Sequence, residues 1–264
     1  MAMKKYLFFF ILPLVFLGHA QPQFFTSFDG IAIAFTDEGE GSPVFLIHGF
    51  INSGSSWEHT VLKKELLKKG YRVIIPDLRG NGASDKPHDT AAYSNDAEVK
   101  DLQALASHLK LKKFNVVGYS RGSIVTAKWL TYDQRIKQAV LGGMGLDFTN
   151  PNWERRILFA NAFAEGAVLN SETEGAVAYA KSIKADLKVL HLSQVCQPVT
   201  TIAELAQIKA KVLVIAGDKD HDNGSPKELQ NAIPKSKLTI IEGIHNEAHT
   251  SEAFSRAIIS FLKT

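Results

Sequence analysis

Short β-branched apolar runs recur along the chain and alternate with stretches of helical periodicity. Val44-Phe45-Leu46-Ile47 comes first, then Arg72-Val73-Ile74-Ile75 and Phe114-Asn115-Val116-Val117. Gln138-Ala139-Val140-Leu141, Val212-Leu213-Val214-Ile215 and Leu238-Thr239-Ile240-Ile241 complete the series. Several are apolar on both faces, the pattern of central strands covered above and below by helices. Helical candidates lie between them, among them Val99 to Leu109, Ser123 to Leu130 and Ser251 to Leu262. This alternation predicts an α/β fold with a mostly parallel sheet, helices on both faces and right-handed crossovers. Ahead of it, Phe24 to Phe35 alternates around Asp29-Gly30 and predicts an antiparallel hairpin.

One interval breaks the rhythm. From Asp147 to about Gln207, roughly sixty residues separate two strands that a crossover of about a dozen could join. Helical patterns at Trp153 to Phe163 and Gly175 to Ile183, with Pro198 as a breaker, predict a helical cap inserted into one domain over 147–207. The N-terminus reads differently again. Lys4-Lys5 precedes an apolar run from Tyr6 to Gly18, and Gly18-His19-Ala20 supplies the small residues of a cleavage site. The run is shorter than the ~20 residues of a comfortable span, so 1–20 is expected to be a signal peptide, with an uncleaved N-terminal anchor as the alternative, and 21–264 the folded domain. Secretion or residence in the periplasm follows as an expectation, with no stable membrane span after cleavage.

Composition narrows the picture only a little. The chain is 45% apolar and 22% charged, an ordinary globular balance. Setting aside Lys4 and Lys5 lowers the formal charge from +3 to +1, which implies no polybasic nucleic-acid surface. The lysines from Lys63 to Lys69 are expected to form a solvated helix face. Cys196 is the single cysteine, so no internal disulfide can form, and it is expected to be a small buried hydrophobe.

Candidate chemistry centres on Gly118-Tyr119-Ser120-Arg121-Gly122, a G-x-S-x-G sequence. The pentapeptide alone is weak evidence. Its setting is stronger, because it follows an apolar strand and opens a helix, as a nucleophile elbow must. A serine there takes a strained backbone with tiny neighbours, and the helix N-terminus favours developing negative charge. An oxyanion needs two preorganised N–H donors. The amides of Arg121 and of Phe50, in His48-Gly49-Phe50 after the first strand, are the candidates. His48 itself is expected to be a hydrogen-bonded structural histidine. The general base is expected at His245, in the loop after the last strand, with His249 as the alternative. The orienting acid is expected at Asp220, in Gly217-Asp218-Lys219-Asp220-His221-Asp222, with Asp222 and then Asp218 behind it. A metal site at His245 and His249 is disfavoured, since the glutamate is misplaced for a zinc-protease helix.

These residues resemble the α/β-hydrolase fold family, in its single-domain esterase-like branch. The likeness runs from about Phe24 to the C-terminus. It rests on Gly39 to Pro43 leading to His48-Gly49-Phe50, on Pro76 to Asp85, on the elbow at Ser120, on Gly217 to Asp220 and on His245 to Leu262. The resemblance implies an eight-stranded sheet, a small cap after the sixth strand and no cofactor. It also keeps Asp147, after the sixth strand, as a minor candidate acid. Arg121 departs from the residue usual beside the nucleophile, and it either favours an anionic substrate or pairs with a cap carboxylate.

The expected chemistry is hydrolysis of a small carboxylic ester or related acyl compound through an acyl-enzyme, with Ser120 attacking, His245 moving the proton and Asp220 orienting His245. A serine at the elbow argues against epoxide or halide chemistry, which needs a carboxylate nucleophile. Prolyl aminopeptidase, C–C hydrolase and perhydrolase activities use the same three residues and remain open, as does a ligand-binding protein of low turnover. The sequence specifies neither the acyl group nor the oligomeric state.

Overall fold

A computed structural model describes residues 21–263; the expected signal peptide lies outside the described residues. The chain opens with β1 (Gln23–Thr26) and β2 (Ala32–Glu38), paired antiparallel with Phe25 opposite Ile33. Next come β3 (Pro43–Ile47), α1 (Val61–Lys68), β4 (Arg72–Pro76), α2 (Ala97–His108), β5 (Phe114–Tyr119), α3 (Arg121–Tyr132) and β6 (Ile136–Gly142). Four helices follow before the sheet resumes: α4 (Glu154–Ala162), α5 (Glu174–Ser182), α6 (Leu187–Val195) and α7 (Ile202–Leu205). The chain ends with β7 (Lys211–Gly217), α8 (Pro226–Ala232), β8 (Ser236–Ile241), α9 (His245–Ala248) and α10 (Glu252–Leu262). The eight strands form one sheet in the order β1-β2-β4-β3-β5-β6-β7-β8. From β4 to β8 every neighbouring pair is parallel, while β2 meets β4 antiparallel.

Side-chain alternation along the buried strands builds two apolar layers. Phe45, Ile47, Val116 and Leu141 face α2, α3 and α8, where Val99, Leu102, Ile124, Trp129 and Leu229 pack. Val44, Leu46, Val117 and Val140 face the opposite way, onto Leu62 and Leu66 of α1 and Phe254 and Ile258 of α10. Because β3 is followed by a crossover to one side and β5 lies on its other side, the carboxyl ends of β3 and β5 flank the switch point of the sheet. Ligand crevices in open α/β sheets form there.

The predicted strands and the longer predicted helices are present, with ends displaced by one or two residues. Two expectations about side chains fail. Lys63 is buried, not solvated: its ammonium is bound by both Glu38 and Glu58, which raises its pKa, whereas Lys68 on the same helix is exposed. Cys196 is only half-buried, beside Tyr93 and Leu192. Among the described residues, no helix is long and apolar enough to cross a membrane.

Candidate active site

The buried strand β5 ends at Tyr119 and α3 starts at Arg121, so Ser120 alone makes the turn between them. It does so at φ +53° and ψ −126°, a conformation that costs a side-chain-bearing residue about 1–3 kcal/mol. The surroundings impose it. The Ser120 amide donates to the Gly142 carbonyl at 2.8 Å, and the Ser123 amide donates to the Ser120 carbonyl at 2.8 Å. A Cβ on Gly118 would strike the Gly122 carbonyl, and one on Gly122 would strike the Ile47 carbonyl, so both positions exclude a side chain.

His245 begins α9, after the loop that leaves β8, and its Nε2 lies 2.9 Å from Ser120 Oγ. Its Nδ1 lies 2.7 Å from Asp220 Oδ2. The carboxylate accepts a hydrogen bond from Nδ1–H, which leaves Nε2 free to accept from the serine hydroxyl. The other acids do other things. The Asp220 side chain is 2% exposed, whereas Asp222 is 65% exposed and pairs with Arg155 at 3.6 Å. Asp218 Oδ1 accepts from the Gly243 amide at 2.9 Å and shapes that turn. Asp147 lies against Gly224. His249 stacks on Tyr119, with ring centroids 4.7 Å apart, and packs edge-on to Trp57. Burial, and then the neighbouring His245, hold the His249 pKa below the ordinary histidine value.

The two residues whose amides are expected to bind an oxyanion, Phe50 and Arg121, line the same cavity as the serine. Gly49 approaches so closely that a Cβ there would sit 3.3 Å from Ser120 Cβ, which brings Phe50 beside the elbow. Arg121 supplies the first amide of α3. Its guanidinium grips Glu98 of α2 with two bonds of 2.8 and 2.6 Å and the Ser193 carbonyl at 2.7 Å. Its carboxylate partner thus comes from α2 and not from the inserted helices. His48 is buried and neutral in character: Nδ1 meets the Gly49 carbonyl at 2.9 Å, Nε2 accepts from the Leu78 amide at 3.0 Å, and burial lowers its pKa.

Three contributors escaped the sequence reading. The Tyr119 hydroxyl donates to the His245 carbonyl at 2.7 Å and so anchors the loop that carries the histidine. The Asn223 amide nitrogen lies 3.2 Å from His245 Nδ1, and its backbone carbonyl accepts from the Gly145 amide at 2.9 Å. Glu98 neutralises Arg121. Tyr119 was signalled by its place as the last strand residue before the serine, and Asn223 by following Asp220 in the same loop. Glu98 carried no signal, being 23 residues from Arg121 along the chain.

A cavity of about 730 Å³ opens over these groups. The core contributes Phe50, Ser120, Ile124, Met144 and His245 to its lining; the helices between β6 and β7 contribute Trp153, Phe159, Tyr179, Gln194 and Gln197. The mixture is apolar and aromatic, with a few polar groups, as in small-molecule sites. Among the described residues, no group of three or more His, Cys, Asp or Glu side chains is placed to hold a metal ion.

Residues 42–163 match the sequence model of the alpha/beta hydrolase fold. A non-heme haloperoxidase of Rhodococcus erythropolis is 35% identical over 125 residues, which are 46% of this chain and 43% of that protein. Epoxide hydrolase 3 of Siraitia grosvenorii is 37% identical over 97 residues, which are 37% of this chain and 30% of that protein. The matched segments therefore span less than half of these relatives' length. Solved structures match far more. A bromoperoxidase from Bacillus anthracis superposes with a TM-score of 0.71 at 27% identity, covering 92% of this chain and all 100% of that one. An esterase from Exiguobacterium antarcticum gives a TM-score of 0.72 over 92% of this chain and 100% of its own, and at 22% identity it speaks for the fold alone. The strand order, the match over residues 42–163 and the full-length superpositions converge: the chain has the α/β-hydrolase fold.

Proposed function

We propose that the chain is a serine hydrolase that cleaves a small carboxylic ester or related acyl compound through an acyl-enzyme. The observation that carries this reading is the continuous relay from Asp220 Oδ2 through His245 to Ser120 Oγ, at 2.7 and 2.9 Å, opening onto the cavity. Ser120 attacks the acyl carbon while His245 Nε2 takes its proton and then gives it to the leaving alcohol. Asp220 holds the imidazole in the required tautomer and stabilises the imidazolium. The amides of Phe50 and Arg121 bind the tetrahedral oxygen, each worth ~3 kcal/mol in the transition state. Water then releases the acyl group by the same path. A series of p-nitrophenyl esters of increasing chain length tests the reading: turnover is expected from the wild type, and Ser120→Ala should abolish it with the fold intact. Turnover retained by that variant would place the nucleophile elsewhere.

A second reading is favoured by the relatives named as haloperoxidases. Hydrogen peroxide would replace water as acyl acceptor on the same serine and give a peracid. Peroxide-dependent peracid formation from acetate or an acetyl ester, lost in Ser120→Ala, distinguishes it. The epoxide hydrolase likeness is not carried over, since the elbow residue here is a serine. We also infer that the leader exports this chemistry from the cytoplasm; an intact mass beginning at Gln21 in the exported fraction tests that.

A further inference from the structure

Three cavity-lining residues hold N–H groups that are buried and without a partner among the described residues: Arg121 Nε, Arg156 Nε and Gln197 Nε2. They gather at one place, the carboxyl end of α6. Arg121 Nη2 donates to the Ser193 carbonyl, and Arg156 Nη1 donates to the Gln194 and Val195 carbonyls at 3.4 and 3.3 Å. Gln197 follows directly. Arg121 and Gln197 are only 4% and 5% exposed, so this is a built wall and not a surface accident. Capping α6 accounts for one edge of the Arg156 guanidinium. It does not account for the Nε–H groups or for the Gln197 amide.

The charges point the same way. Arg121 is matched by Glu98, and Arg155 by Asp222. Arg156 is held by main-chain carbonyls, including that of Pro151, and forms no ion pair with a carboxylate among the described residues. Glu172, the acid in the cavity lining, is exposed and makes no ion pair with Arg156. Burial without a counter-charge depresses the Arg156 pKa. A half-buried cation that lines the cavity without a carboxylate partner is a recognition point for a planar anion with several acceptor lone pairs.

We propose that this wall binds a carboxylate at the end of the acyl chain, so that the preferred substrate is a half-ester of a short dicarboxylic acid. The inference rests on the serine-hydrolase reading. Arg156 and Gln197 are specificity-determining residues in this account, and side-chain rotation turns the Gln197 amide toward the carboxylate.

The test compares monoethyl glutarate with ethyl 5-oxohexanoate, a neutral ester of nearly the same shape, by ethanol release. The wild type should favour the half-ester by about tenfold or more in kcat/KM, expressed mainly in KM, as expected for one charge-assisted hydrogen bond. Gln197→Glu, which keeps the side-chain shape and adds a negative charge, should remove or invert that preference, and so should Arg156→Met. If Arg156→Met fails to fold, because it also loses its carbonyl bonds, the Gln197 exchange decides. Hydrolysis of the neutral ester with no preference for the half-ester overturns the inference, as does a preference unchanged in Gln197→Glu. Hydrolysis of neither ester by a protein whose Ser120 reacts with a fluorophosphonate also overturns it. Absence of both hydrolysis and reaction at Ser120 rejects the serine-hydrolase reading itself.

Discussion

At the scale of single residues, the acid and base roles each have two neighbours of similar chemistry as candidates. Asp220 and Asp222 are two positions apart, yet only the first is buried against His245. Asp220→Asn should therefore lower kcat by about 10⁴-fold, as expected when the histidine is held in the wrong tautomer. An Asp222→Asn variant that fell as far would refute the assignment. His245 and His249 are separated in the same way. His245→Ala should cost roughly 10⁴-fold or more in esterase kcat, whereas His249→Phe should stay within about tenfold of wild type, because an aromatic ring is what Tyr119 and Trp57 pack against. Steady-state kinetics on a p-nitrophenyl ester separates the two. That Ser120, His245 and Asp220 meet could be read in the sequence, because each follows a recognisable strand end and the tight turn at Ser120 needs glycines at 118 and 122. The direction of the Arg121 side chain could not, since its partner Glu98 is brought to it only by the packing of α2 on α3.

Elements were legible where burial is one-sided or complete. The buried strands announce themselves as short apolar runs, and α10 as an amphipathic stripe closing on Phe254, Ile258, Phe261 and Leu262. Helix α6 was not foreseen. Val189, Leu190, Leu192, Ser193 and Gln194 are all buried, so it lies enclosed between neighbours on several sides and shows no stripe. Helix α1 misled for the opposite reason: a run of lysines reads as solvated, but Glu38 of β2 and Glu58 reach over one of them. Lys63→Met leaves those two carboxylates facing each other without a cation. It should lower unfolding free energy by ~1–3 kcal/mol, the buried-pair cost reduced because both glutamates are partly exposed. Urea denaturation measures this, and a midpoint equal to wild type would contradict the role given to Lys63.

At the scale of the molecule, the sheet brings together segments that are far apart in sequence, from Gly49 to His245, at its switch point. The same packing buries His48 and half-buries His249, and their pKa values fall because the charged ring is poorly solvated. In the unfolded chain they take up protons near pH 6.5, and in the native protein they do not. Their contribution to stability is thus present above about pH 6.5 and is lost progressively as pH falls below it. Tm should fall between pH 7.5 and 5.5, and more gently in His249→Phe; an unchanged slope in that variant would count against its burial as the cause. The least legible part of the molecule is the set of helices between β6 and β7, because they pack mainly on one another through Phe163, Val177 and Leu190 and carry no fixed motif. They also line much of the cavity, so substrate choice is the property hardest to read from sequence. Ser120 lines the same cavity. Incubation with a fluorophosphonate, followed by peptide mass mapping, should place a single phosphonyl adduct on Ser120, and Ser120→Ala should remain unlabelled. A folded wild-type protein that takes up no adduct, or takes it up at another residue, would contradict the account.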